Sequence, residues 1–105
     1  MRFNMQYILD TDGKTPIKTD LMTWVRVFET SDRVVKRDTV NGCNVSTVFL
    51  GLDHSFEHGA EPVLWETMIF GGPHDNYQDR YTSYDAAVAG HAKAYEIAAC
   101  TREPE

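Results

Sequence analysis

The sequence predicts an α+β domain: an antiparallel sheet of three to four strands with two helices packed on one face, in the order β-α-β-β-β-α. Three observations predict it. Asn41-Gly42 stands between two runs rich in Val, Thr and Phe, and this is a hairpin signal because a type I′ turn needs positive φ at both central residues. Leu21, Trp24, Val25 and Phe28 recur at i, i+3, i+4 and i+7 behind Thr19 and Asp20, giving one apolar helical face with a capping residue before it. Thr82-Ser83-Tyr84-Asp85 opens a second helix as a capping box, since Asp85 can reach back to the Thr82 amide.

In chain order, Tyr7-Ile8-Leu9 reads as a strand entering the turn Asp10–Lys14, where Gly13 supplies a left-handed position and Pro16 closes the loop. The first helix follows and ends at Ser31-Asp32. The hairpin pairs Arg33–Val40 with Cys43–Leu52, placing Val40 opposite Cys43, Lys36 opposite Thr47 and Val34 opposite Phe49. Asp53–Pro62 is a polar loop, Val63–Phe70 another strand, Gly71-Gly72-Pro73 its terminating turn, and His74–Tyr81 irregular chain. The last helix runs from Ser83 to about Ala99 and is expected to bury Tyr84, Ala87, Val88, His91, Tyr95 and Ala98. Gly90 inside it costs roughly 1 kcal/mol relative to Ala, which close approach to the sheet would explain.

With 105 residues, 42% of them hydrophobic and 25% charged, residues 1–105 are expected to form a single soluble domain. No apolar run approaches the roughly 20 residues that span a bilayer, and no charged segment precedes a signal-like apolar stretch. The net charge of −6 disfavours general binding to nucleic-acid phosphates. Seven acids and one base lie between Asp53 and Asp85, so this third carries the whole excess. Cys43 and Cys100 match no metal or redox spacing and are expected to be buried thiols.

The blocks Val45-Ser46-Thr47-Val48-Phe49-Leu50-Gly51-Leu52-Asp53-His54, Trp65-Glu66-Thr67-Met68-Ile69-Phe70-Gly71-Gly72, Arg80-Tyr81-Thr82 and Ala89-Gly90-His91 together resemble a family of small uncharacterised proteins encoded by bacteriophages and prophages. The likeness spans roughly residues 45 to 92, with a weaker echo from Tyr7 to Phe28. It implies a phage-associated origin, a shared fold and residence in the bacterial host cytoplasm. It carries over no catalytic residue or ligand. The segment Ser55-Phe56-Glu57-His58-Gly59 departs from the more glycine- and proline-rich loop expected there, which weighs against a special role for His58.

Several residues invite a chemical reading. Asp53, His54, His58 and His74 are of metal-ligand type, although their spacing fixes no geometry and exposed loop polars are the ordinary alternative. Glu66 interrupts an apolar strand; it is either a carboxylate paired with Arg37 or Arg80, or a shifted acid-base group. His91 falls in the apolar stripe of the last helix, where a neutral, hydrogen-bonded core histidine is expected. Gly71-Gly72-Pro73 matches no phosphate-cradle pattern, no nucleophile-elbow or zinc-helix motif occurs, and no cofactor is expected. Arg33, Lys36 and Arg37 read as a solvated edge discouraging strand addition.

These readings favour a non-enzymatic accessory protein that binds a host or phage macromolecule, an anti-defence role among the options, with a homo-oligomer as the binding unit. Its binding surface is expected on the Asp53–Pro62 and Gly71–Tyr81 loops, with Asp53, His54, Glu66, His74, Asp75, Tyr77 and Arg80 as contact residues. The alternatives are a protein that sequesters a small molecule or nucleotide, and a small metal-assisted hydrolase.

Overall fold

The computed structural model describes residues 6–54 and 61–100. Its elements are β1 (Gln6–Leu9), β2 (Pro16–Thr19), α1 (Leu21–Thr30), β3 (Val34–Val40), β4 (Cys43–Phe49), β5 (Trp65–Phe70), β6 (Gln78–Tyr81) and α2 (Tyr84–Cys100). The fold is α+β, with β3-β4-β5-β6 forming an antiparallel meander and β1-β2 a separate antiparallel hairpin.

Two strands go beyond the pattern read from the sequence. β2 begins at Pro16, a tolerated place because the first residue of an edge strand need not donate to the ladder. The loop before it is tied by Asp12, whose carboxylate accepts from the Lys14 and Thr15 amides and the Thr15 hydroxyl. Those bonds, the Thr15 hydroxyl foremost, hold the Asp12 acid down to about 2. β6, Gln78-Asp79-Arg80-Tyr81, has no apolar alternation to announce it and is made a strand by pairing with β5. At the β3-β4 hairpin Asn41 and Gly42 have φ of 53° and 76°, as a type I′ turn requires. Val40 pairs with Cys43 and Lys36 with Thr47, but a bulge between Val34 and Lys36 moves Val34 opposite Val48 rather than Phe49.

Alternation puts Cys43, Val45, Thr47 and Phe49 of β4, with Trp65, Thr67 and Ile69 of β5, on one buried face. α2 covers it with Ala87, Gly90, His91, Ala94 and Ala98. The expected stripe is thus rotated: Val88 and Tyr95 are 43% and 36% exposed. Small side chains let the helix axis approach the strands, and the bulkier ones are pushed to its flank. Gly90 is part of that approach, for a Cβ there would overlap the Tyr81 phenol.

The first helix shows the same rotation. Asp20 caps α1 by accepting from the Thr23 amide at 2.8 Å. Trp24 and Phe28 are half-buried, whereas Leu21 and Val25 are exposed and no residue of α1 is buried. The expectation that all four face the sheet fails because the inward side of α1 is the one carrying Thr23, Trp24, Val27 and Phe28, which turns Leu21 and Val25 outward. Trp24 Nε1 donates to the Gly51 carbonyl at 3.1 Å, and the Phe28 ring lies 6.2 Å from that of Phe49. The Tyr7 amide donates to the same carbonyl at 2.7 Å, so Gly51 joins the β1-β2 hairpin and α1 to the main sheet. Cys43 is in the core as expected, while Cys100 is exposed.

Gly90→Ala tests the close approach. Helix propensity alone would stabilise the variant by about 1 kcal/mol; overlap with Tyr81 should instead destabilise it by about 1–3 kcal/mol. Urea denaturation measures the difference, and a variant more stable than the parent would contradict the packing.

Candidate functional site

Of the residues singled out from the sequence, the structure brings Glu66 and Arg80 together but does not gather the set at one place. Asp53 is buried and accepts from the Val63 amide at 3.0 Å, and His54 Nδ1 donates to the Leu52 carbonyl at 2.8 Å. Both tie the approach to β5. At the far end of β5, Asp75 accepts from the Gly71 amide at 2.7 Å and closes a turn in which His74 is exposed. Glu66 lies on the sheet face that α2 leaves uncovered, accepting from Arg80 Nε at 2.9 Å and Gln78 Nε2 at 2.8 Å. Of the two readings of Glu66, geometry selects the paired carboxylate, with Arg80 as its partner.

Tyr77 packs on the opposite side, against the cluster of Cys43, Val45, Ile69, Ala94 and Ala98. Burial raises its phenol pKa, and the nearby Asp79 carboxylate adds to the effect. β6 does bring Arg80 back along β5, yet Arg80 and Tyr77 end on different faces, and residues 55–60 of the Asp53–Pro62 loop lie outside the described residues. Glu57 and His58 lie outside the described residues, and among the described residues no three His, Cys, Asp or Glu side chains converge as a metal site. The acidic third is largely taken up in such local duties: Asp53 and Asp75 hold backbone amides, Glu66 is paired, and Asp85 occupies the first turn of α2.

The constellation that does form is centred on His91. The residue is 2% exposed, as expected of a core histidine, and both ring nitrogens are engaged. Nε2 lies 2.8 Å from Asp38 Oδ2 and Nδ1 lies 2.7 Å from Thr47 Oγ1, which is 2.5 Å from Thr67 Oγ1. Asp38 is acceptor-only, so in the neutral ring Nε2–H donates to it and Nδ1 accepts the Thr47 hydroxyl proton. Thr67 then donates to Thr47. Tyr81 sits next in this column, beside Thr67, its buried hydroxyl without a completed hydrogen bond.

Carboxylate, imidazole and hydroxyl in a row have the order of a nucleophile with its base and orienting group. Thr47, however, is fully buried beneath α2. A substrate carbonyl cannot reach its Oγ1, and the row is a structural relay.

Its outer end opens on a groove between β3 and α2, lined by Lys36, Asp38, Val88, His91, Ala92, Tyr95 and Glu96. Asp38 sits in a charged run that hides it from sequence reasoning. The available signal was parity: Asp38 shares a face with Val40, the residue paired to buried Cys43.

A second feature is the solvent side of α1. Leu21, Met22 and Val25 lie together there, with Leu21 55% and Met22 70% exposed.

Tyr81→Phe tests the column. A buried hydroxyl without a partner costs free energy, so at neutral pH the variant should be as stable as the parent or up to about 1 kcal/mol more stable. Burial raises the Tyr81 pKa above its ordinary value, with the Asp79 carboxylate adding to the rise. The folded state therefore holds this proton more tightly than the unfolded chain, and stability falls as pH climbs past about 10. Thermal melts from pH 9 to 11 should show a shallower decline in Tyr81→Phe; an equal decline would contradict the assignment.

Comparison of the chain with protein-family models, with curated proteins and with solved structures finds no match.

Proposed function

We propose that this chain is a non-enzymatic binding protein of the phage-accessory kind its motif blocks resemble, and that it engages a protein partner through the solvent side of α1. The observation that supports this most is an amphipathic helix that buries none of its residues, with Leu21, Met22 and Val25 exposed side by side. Single exposed apolar side chains are ordinary on protein surfaces, but neighbouring ones on a helix mark an interaction surface. An amphipathic helix is read by a partner that offers an apolar groove, its anchors spaced at i and i+4 as Leu21 and Val25 are. The net charge of −6 steers association toward a basic partner. The lack of access to Thr47 weighs against hydrolysis at the one base-like histidine among the described core residues.

Leu21→Glu combined with Met22→Glu tests this reading. Both positions are exposed, so the melting behaviour should stay within about 0.5 kcal/mol of the parent. In pull-downs from phage-infected bacteria the parent should retain a protein that the double variant loses. Equal retention by both, or retention by neither, contradicts the reading. Sedimentation of the purified parent shows whether the retained species is a second copy of this chain.

A further inference from the structure

We propose that the groove between β3 and α2 binds a small cationic group, an alkylammonium or guanidinium, held by the carboxylates of Asp38 and Glu96 with its carbon body on Val88 and Tyr95. This site is separate from the α1 surface and does not depend on it. The groove encloses about 300 Å³, the lower end of the range for small-molecule sites.

Three features converge there. Asp38 is a preorganised carboxylate: its Oδ2 is fixed by His91, itself 2% exposed and anchored to Thr47 and Thr67. The side chain remains about one-third accessible, so the second oxygen can meet a ligand without further ordering. Val88 and Tyr95, three residues before and four after His91, place apolar surface on both sides of it. Their displacement from the core thereby acquires a use.

Charge selects the ligand class. Asp38 and Glu96 contribute two negative charges against one positive charge from Lys36, and no ion pair joins these three among the described residues. An anion at Lys36 would face both carboxylates. A metal ion would find His91 with both nitrogens occupied. A monovalent cation with an aliphatic stem satisfies the carboxylates and the apolar flanks together. That chemistry belongs equally to a free amine and to a lysine or arginine side chain of a partner protein.

Amide NMR of the full chain tests the site with Nα-acetyl-L-argininamide (argininamide), its neutral isostere Nα-acetyl-L-citrullinamide (citrullinamide), and an acetylated Gly-Arg-Gly amide peptide. Argininamide should shift amides of β3 around Lys36–Asp38 and of α2 around Val88–Glu96, saturating in the millimolar range, while citrullinamide leaves them unmoved. Equal affinity for the peptide identifies a side chain of a partner as a competent source; binding of argininamide alone identifies a free small-molecule cation. Asp38→Asn, which keeps an oxygen facing His91, should weaken argininamide at least about tenfold. Lys36→Ala should tighten it about two- to fivefold by removing a competing cation, a gain that a purely structural groove would not give. Should Asp38→Asn unfold, the exposed Glu96→Gln must still weaken binding. Shifts of equal size with citrullinamide, parental affinity in both carboxylate variants, or no shift with any probe overturns the proposal.

Discussion

The close crossing of α2 over β4 and β5 is the constraint on which the rest depends. Ala87, Gly90, Ala94 and Ala98 form a narrow stripe of small side chains, and Gly90 in particular lets the helix lie on the Tyr81 ring. At that separation there is no room between helix and sheet for the larger residues of α2. Val88 and Tyr95 are displaced to the flank, Tyr84 and Ile97 pack half-buried at the margins, and His91 projects fully inward. It enters a polar column whose other members come from three strands: Asp38 from β3, Thr47 from β4 and Thr67 from β5. Each buried polar group left without a partner costs about 1–3 kcal/mol, so the column fixes both the rotation of α2 and its position along the strands. A purely apolar interface of alanines would tolerate sliding; this one does not.

The N-terminal part is held differently. β1 and α1 reach the main sheet through the Gly51 carbonyl, which accepts from both Tyr7 and Trp24, and through Tyr7, Leu9 and Phe28, which pack against the Phe49 and Trp65 cluster. Gly51 has φ of 77°, and a Cβ there would collide with the Phe28 ring, so only glycine lets the helix and the loop meet. The Cα radius of gyration is 15.2 Å, against about 13 Å for a compact chain of this length. The N-terminal unit extends from the sheet rather than wrapping it. This is why α1 keeps apolar side chains in solvent. The open edge at β3 is managed within the strand itself, by Lys36, Arg37 and a bulge.

Much of the fold is legible in the sequence, because hairpin turns and helix caps are local. Asn41-Gly42 adopts the turn its residue types demand and Asp20 caps α1, while the cap of α2 falls one residue later than the Thr82 box predicts, on Ser83, whose hydroxyl accepts from the Ala86 amide. The failures concern tertiary information. β6 has no apolar period and exists because β5 offers it an edge. Both helices present a face rotated from the one that hydrophobicity alone selects, since hydrophobicity does not encode how closely a helix must approach. The sites follow the same rule. The partnership of Glu66 with Arg80 was among the readings open in the sequence, because both belong to neighbouring chain segments. Asp38 and His91 stand 53 residues apart, and nothing local marks one as the partner of the other.

The most direct test of this account is nitrogen NMR of the His91 imidazole. A ring buried under α2 and bonded at both nitrogens predicts a slowly exchanging Nε2 proton correlated with Asp38, and Nδ1 as the acceptor in the neutral form. A ring proton in fast exchange with water, or a neutral ring protonated at Nδ1, would show that the polar column does not hold α2 in place.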